Sequence, residues 1–168
     1  MNARPGAQEQ ESKPKAITIG VISDTHGLLR SEAVEFLRGS DFIIHAGDVG
    51  DPEILVKLSE IAPVTAVRGN VDRDVWAQGL PETNVLEAGD ALIYVLHQVE
   101  QLDLKPDVAG IGVIVHGHSH VPLQETKNGV LYFNPGSAGP KRFRLPVSLG
   151  RLVVRGGKVQ DEIVKIAD

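Results

Sequence analysis

Short apolar segments, rich in β-branched residues, recur along the chain and set the fold it can form. The first three occupy residues 16–23, 41–45 and 64–67, and such segments are typical of strands buried on both faces of a sheet. Helix signals lie between them: Ser31 is a predicted N-cap, and Asp51-Pro52-Glu53 begins a second helix. This β-α-β-α-β half predicts a parallel sheet with right-handed crossovers.

The second half of the chain predicts antiparallel strand pairs. Gly89-Asp90 and Lys127-Asn128-Gly129 each separate two apolar segments, as expected of hairpins, and Gly156-Gly157 joins the last pair. With a further strand at residues 112–116, the pattern gives roughly ten strands and two or three helices. The predicted fold class is α/β: two stacked mixed β-sheets flanked by helices, an αββα sandwich.

Length and composition narrow the class of protein. The 168 residues suit a single domain over 16–168, preceded by a flexible polar tail over 1–15. The net charge of −5 argues against wholesale nucleic-acid binding, and no apolar run approaches the roughly 20 residues that cross a membrane. The first residues lack the apolar core of a secretory leader, so a cytoplasmic location is expected. Cysteine is absent, so any metal must bind to imidazole, carboxylate or amide groups.

Five of the predicted strands end in clusters that contain Asp, Asn or His. These clusters are Asp24-Thr25-His26-Gly27, Gly47-Asp48, Gly69-Asn70, His97 and Gly117-His118-Ser119-His120. Ligands of α/β sheets bind at the carboxyl ends of strands, so the clusters are expected to converge on one site. On extended backbone, the two side chains of Asp-x-His or His-x-His would point the same way and chelate one ion or straddle two. Imidazole and carboxylate together favour ions such as Mn²⁺, Fe²⁺, Co²⁺, Ni²⁺ or Zn²⁺.

In this order, the motifs resemble the signature of calcineurin-like metallophosphoesterases, most closely their small bacterial and archaeal phosphodiesterase branch, which is related to the retromer subunit of eukaryotes. The resemblance covers residues 17–166 and includes the turn Asn134-Pro135-Gly136-Ser137. It implies a hydrolase that holds two divalent metal ions, with Mn²⁺ favoured, and attacks a small phosphate ester with a metal-bridging hydroxide. Phosphodiesters are the favoured substrates.

The same resemblance implies the ligands. One metal would be held by Asp24, His26, Asp48 and His120, and the other by Asp48, Asn70, His97 and His118, with Asp48 as the bridge. In catalysis, Asp48 and the charge-stabilising side chains Asn70, His118 and His120 would act together with the metals.

Two positions depart from the family pattern. Val71 follows Asn70 where many members have His and this branch often has Cys, and Gln98 follows His97 where members often have Gly-His. Val71 can neither donate a proton nor bind an anion, so catalysis would rely on the metals or on an easily departing leaving group. Two alternative functions stay open: a phosphomonoesterase or nucleotidase with the same site, and a binding scaffold with weak or no catalysis. Assembly into a homo-oligomer also stays open.

Several polar and aromatic residues outside the predicted ligand set have a structural or a functional interpretation. His45 and His116 precede ligand clusters and are expected to pack behind the site, and Asp72 is expected to have a structural role. Arg68 is either a surface residue or a phosphate contact, and Trp76 covers the site entrance or anchors a subunit contact. A basic stretch is either a solvated loop or a rim that attracts anionic substrate; it comprises Lys141, Arg142 and Arg144.

Overall fold

The computed structural model describes residues 14–168, which form ten strands and two α-helices. The predicted tail over residues 1–15 therefore lies outside the described residues except for Pro14 and Lys15, which are exposed. The strands are β1 (Ile17–Ile22), β2 (Phe42–His45), β3 (Val64–Ala66), β4 (Thr83–Ala88), β5 (Ala91–Leu96), β6 (Val113–Val115), β7 (Leu123–Lys127), β8 (Val130–Asn134), β9 (Val147–Arg155) and β10 (Lys158–Ala167). The helices are α1 (Ser31–Leu37) and α2 (Pro52–Ser59).

The strands form two five-stranded mixed sheets, which confirms the predicted fold class. The first sheet has the order β10-β9-β1-β2-β3. Its strands β1, β2 and β3 are parallel, and β9 is antiparallel to both of its neighbours, β1 and β10. The second has the order β4-β5-β6-β8-β7, with β5, β6 and β8 parallel and one antiparallel strand at each edge. Three parallel strands in each sheet bring their carboxyl ends to a common edge.

A continuous apolar layer lies between the two sheets. Ile19, Val21 and Ile44 face it from the first sheet, and Val113 and Phe133 from the second; all five are fully buried. Alternate strand residues face the opposite side, so residues such as Ile22 and Ile43 pack outward against α1 and α2. Burial on both faces explains the nearly continuous apolar sequence of the central strands.

The two outer faces are covered differently. Both α-helices pack on the first sheet through side chains such as Leu37 and Leu58. The second sheet is covered by Val99, Leu102 and Leu104, which lie in a segment whose one regular element is a short 3₁₀ helix at Val99–Gln101. Among residues 14–168, no helix combines the length and the apolar character needed to cross a membrane.

The N-cap prediction is correct for α2 and wrong for α1. Asp51 caps α2 as predicted: its carboxylate accepts the backbone N–H of Glu53 at 2.9 Å, and Pro52 is the first helical residue. The prediction for α1 was wrong, because its N-cap is Arg30 and not Ser31. The Ser31 hydroxyl lies in the first turn and donates to Glu32 instead, while the Arg30 guanidinium reaches the carbonyl of Gly139 at 3.2 Å.

Phe133 tests the importance of the inter-sheet layer. Phe133→Ala is expected to lower the free energy of unfolding by about 3–5 kcal/mol, because a fully buried ring leaves a cavity that the two sheets cannot close. Phe143→Ala is the matched control: this ring is 92% exposed, so its removal should change stability by less than about 0.5 kcal/mol. Urea unfolding measures both, and similar losses for the two variants would contradict this view of the core.

Candidate metal centre

The structure brings all seven predicted ligand side chains together at the common edge of the two sheets. Each follows the carboxyl end of a parallel strand: β1, β2 and β3 of the first sheet, and β5 and β6 of the second. These residues are Asp24 and His26, Asp48, Asn70, His97, and His118 and His120. The site thus lies where the topology predicts a ligand crevice.

The first group of side chains contains Asp24, His26 and His120, whose candidate ligand atoms lie within 4.8 Å of one another. The Nε2 atom of His120 is 3.3 Å from Asp24 Oδ1 and 3.3 Å from His26 Nε2. Such close approach of two imidazoles and a carboxylate creates a preformed site for a divalent cation.

The second group contains Asp48, His97 and His118, again within 4.8 Å. His97 Nε2 is 3.1 Å from Asp48 Oδ2, and Asn70 Oδ1 is 3.0 Å from His118 Nδ1. The same Asp48 oxygen is 3.8 Å from His26 Nε2 of the first group. Asp48 therefore lies between the two groups, in the position that a bridging carboxylate requires.

The ligand residues have a backbone conformation that the sequence did not predict. Seven non-glycine residues of the described chain have positive φ, and five of them are candidate ligands: Asp24, His26, Asp48, His118 and His120, with φ from 45° to 72°. The expectation that the Asp-x-His and His-x-His pairs lie on extended backbone was therefore wrong. Left-handed conformations turn these side chains toward the centre, and such strained residues cluster at functional sites.

Two glycines permit the clusters to approach one another. A Cβ atom at Gly117 would lie 2.6 Å from Asp24 Oδ2, and one at Gly69 would lie 2.8 Å from the Asp48 Cα atom. A larger residue at Gly117 would push apart loops of the two sheets, and one at Gly69 would push apart the loops that follow β2 and β3 of the first sheet. The Gly-Asn and Gly-His pairs of the sequence thus have a steric cause.

Both buried carboxylates keep pKa values below their ordinary range. Burial alone would raise the pKa of Asp24, but His120 and the Ser23 hydroxyl, at 2.6 Å, more than offset it. Burial has the same unfavourable effect on Asp48, which His97 and the backbone N–H of Val71 outweigh. Both groups are therefore ionised at neutral pH, as metal ligands must be.

The imidazoles differ in their pKa values. Burial lowers the pKa of His26, and the nearby carboxylates only partly oppose it. For His97, the interactions with Asp48 and Asp24 outweigh burial and raise the pKa. A proton on His97 competes with a cation for the imidazole, so metal binding is expected to weaken as the pH falls.

Two buried atoms indicate that the donor set suits a cation. Asp24 Oδ1 and His97 Nε2 have no hydrogen-bond partner among the described residues, and both belong to the groups described above. An unsatisfied buried polar atom is costly unless a ligand pairs with it. An oxygen and a nitrogen acceptor that face a common point fit a divalent metal ion.

Asp72 organises the backbone around the centre. Its carboxylate accepts the N–H groups of Val49, Gly50 and Gly69 at 2.9–3.1 Å, and so joins the loop that carries Asp48 to the loop that carries Asn70. This is the structural role that was expected of it.

His45 lies behind the centre in a fixed protonation state. Its Nδ1 accepts the N–H of Gly47, so Nε2 carries the proton and donates to the Thr25 hydroxyl, which donates to the Val49 carbonyl. Burial lowers the pKa of His45 to about 4. His116 is also buried, and its pKa is lowered by burial. Neither histidine belongs to the two groups of candidate ligands.

The remaining candidates have simple environments. Arg68 pairs with Glu82 at 2.9 Å, and Trp76 packs against the layer under the helices. Val71 is 49% exposed next to Asn70. Sequence reasoning assigned no role to Thr25 or to Asn134, which donates to the Gly117 carbonyl at 3.1 Å. The one sequence feature that could have indicated a role for these two residues is their position inside the motifs that resemble the family signature.

Fold and site together define a two-sheet α/β protein with two adjacent metal-binding groups that share a bridging position. Comparison with known families gives the same result: residues 17–157 match the model of the calcineurin-like phosphoesterase superfamily domain. The chain belongs to this superfamily.

Curated relatives are metallophosphoesterases and phosphodiesterases. The chain is 38% identical to the "Probable metallophosphoesterase MJ0623" of Methanocaldococcus jannaschii, over 89% of this chain and 82% of that protein. It is 28% identical to the phosphodiesterase YfcE of Escherichia coli K12, over 77% and 84%. Together with the superfamily match, these names identify the chain as a phosphoesterase of metal-dependent type.

Solved structures have the same fold. A predicted phosphoesterase from Streptococcus pneumoniae superposes with a TM-score of 0.72 at 26% identity, covering 90% of each chain. Vacuolar protein sorting 29 from Cryptosporidium parvum superposes with a TM-score of 0.71 at 22% identity, over 91% of this chain and 99% of that one. The second likeness concerns the fold alone.

Metal binding should be visible as stabilisation. Addition of Mn²⁺ to stripped protein at about 100 times its dissociation constant is expected to add about 2.7 kcal/mol, because the ion binds the folded state selectively. Asp48→Asn should abolish most of this gain, and Asp90→Asn, at an exposed hairpin turn, should preserve it. Thermal unfolding with and without a chelator measures the effect. Equal gains in both variants would exclude Asp48 as a ligand.

Proposed function

We propose that the protein is a phosphodiesterase that depends on two divalent metal ions bound at this centre. The observation that carries the proposal is the position of Asp48 between two groups of closely spaced Asp and His side chains. The phosphodiesterase name of the Escherichia coli relative supports the substrate class.

The ligand assignment follows the two groups. Asp24, His26, Asp48 and His120 would hold one metal, and Asp48, Asn70, His97 and His118 the other. Inclusion of Asn70 is supported by its contact with His118. A mixed set of imidazole, carboxylate and amide ligands without thiolate suits Mn²⁺, which we propose as the native ion; Fe²⁺, Co²⁺, Ni²⁺ and Zn²⁺ also fit these donors.

When bound, the two ions supply a nucleophile at neutral pH and positive charge for the transferring phosphoryl group. The residues of the chain hold the geometry. Asp72 fixes the loops of Asp48 and Asn70, and the backbone N–H of His118 donates to Asp24 Oδ2 at 3.1 Å, so both carboxylates are held rigidly. His118 is exposed and is thus available to contact a phosphoryl oxygen.

The bridging position gives the direct test. Asp48→Asn is expected to lower the hydrolysis of bis(p-nitrophenyl) phosphate, with Mn²⁺ added to stripped protein, by at least about a hundredfold, because a shared ligand is lost from both metals. Asp90→Asn is the control, and circular dichroism checks that both variants are folded. An unchanged rate in Asp48→Asn would overturn the proposal. Comparison with p-nitrophenyl phosphate separates a diesterase from a monoesterase.

The valine at position 71 leads to a prediction about how the rate depends on the basicity of the leaving group. A valine next to Asn70 donates no proton, so the rate should fall steeply as the leaving alcohol becomes more basic. Val71→His should raise the rate for diesters with a poor leaving group by roughly 10²-fold or more and change that for p-nitrophenyl esters little. A series of aryl methyl phosphates measures this dependence. Equal slopes for the two proteins would show that position 71 does not act on the leaving group.

A further inference from the structure

An exposed basic loop adjoins the metal centre. We use this name for residues 140–146, Pro-Lys-Arg-Phe-Arg-Leu-Pro, which contain three cations and no acidic residue in a chain of net charge −5. Within residues 14–168, none of Lys141, Arg142 and Arg144 forms an ion pair. Between them, Phe143 is 92% exposed and has a φ of 52°, a strained conformation for an aromatic residue.

The start of this loop is attached to the strand that carries Asp24. Ser137 Oγ donates to the Asp24 carbonyl, and Ala138 N–H donates to the Ser23 carbonyl, both at 3.0 Å. Gly139, the residue directly before the loop, lies against the carbonyl groups of Asp24 and Thr25, where a Cβ atom would not fit. The loop therefore begins next to Asp24, at the edge of the metal centre.

Exposed apolar side chains also lie close in sequence to the candidate ligands. Eight large apolar side chains of the described residues are exposed. Phe143 is one of them, and three others follow candidate ligands within two residues: Leu28 after His26, Val71 after Asn70 and Val121 after His120. Half of the exposed apolar side chains thus lie within two residues of a candidate ligand or in the basic loop, and such a mixture of apolar and polar groups suits a ligand with both an anionic and an apolar part.

We infer that the substrate is a small phosphodiester of a nucleoside, with its base stacked on Phe143 and its phosphate drawn to the metal centre by Arg142 and its neighbours. This inference rests on the proposed function and adds the substrate class. A base offers the flat π-face that an exposed ring stacks on, and arginine can add a cation–π contact. The negative charge of the whole chain disfavours a long polyanion, so a small nucleotide fits better than a nucleic acid.

A matched substrate pair tests the inference. The p-nitrophenyl esters of thymidine monophosphate and of methyl phosphate share the leaving group and the scissile bond, and differ only in the nucleoside. In each reaction one water is consumed, the bond from phosphorus to the p-nitrophenyl oxygen breaks, and a phosphate monoester, p-nitrophenolate and two protons are released. The native protein should have a higher kcat/KM for the nucleoside ester, and Phe143→Ala should reduce this preference about tenfold.

The control variant is Val108→Ala. Val108 is 80% exposed like Phe143 but precedes β6, at the opposite end of that strand from His118; its replacement should leave the preference unchanged. Arg142→Gln should lower kcat/KM for both esters by the same factor, because Arg142 acts on the phosphate that the two esters share. No preference in the native protein, or an equal loss for both esters in Phe143→Ala, would overturn the inference.

A binding measurement separates this inference from the proposed function. Calorimetric titration with thymidine monophosphate and with methyl phosphate should show about tenfold weaker binding of the nucleotide alone in Phe143→Ala. If neither ester is hydrolysed but this difference appears, the proposed function fails and the nucleotide site stands. If Phe143→Ala instead changes the oligomeric state and not nucleotide binding, a second copy of the chain covers the loop and the inference fails.

Discussion

The arrangement at the sheet edge depends on two carboxylates that the fold removes from water. Asp24 is fully buried and Asp48 is 3% exposed, and an isolated carboxylate in such surroundings would cost several kcal/mol. Each is compensated by a backbone N–H, from His118 and Val71 respectively, and by facing imidazoles. These donors come from loops of both sheets. The carboxylates can therefore stay ionised only when the two sheets are correctly stacked, and their ionised form in turn stabilises that stacking.

Much of this could be predicted because the information is local. The alternation of apolar strands and turn residues fixes the order of the elements, and parallel strands necessarily end at one edge. The clusters at 24–27, 47–48, 69–70 and 117–120 could therefore be expected to meet before any coordinates were known. His97 is different, because nothing in its own segment distinguishes a ligand from a hydrogen-bonded histidine. The contact of its Nδ1 with the Ala46 carbonyl at 2.7 Å arises only in the folded chain.

Features that depend on distant segments could not be predicted. The left-handed conformations of Asp24 and Asp48 persist because Gly117 and Gly69 pack against them from other parts of the chain, and no local propensity encodes that. The N-cap of α1 is similar: Arg30 has a tertiary partner in Gly139, which the sequence near Ser31 does not reveal. The outer cover of the second sheet lacks helical periodicity and was therefore not foreseen.

The loops at the sheet edge have two parts: one holds the candidate ligands in place, and the other can contact the rest of the substrate. The two carboxylates at the centre are buried, have left-handed backbone conformations and accept backbone hydrogen bonds, so they can be expected to differ little in geometry between substrates. Two metals recognise any phosphoryl group and cannot by themselves distinguish one ester from another. Selectivity must come from side chains further out, which include Leu28, Val71, Val121 and residues 140–144 of the basic loop, all of them exposed. A valine beside Asn70 and a phenylalanine among cations are thus side chains through which this chain can select one phosphate ester over another.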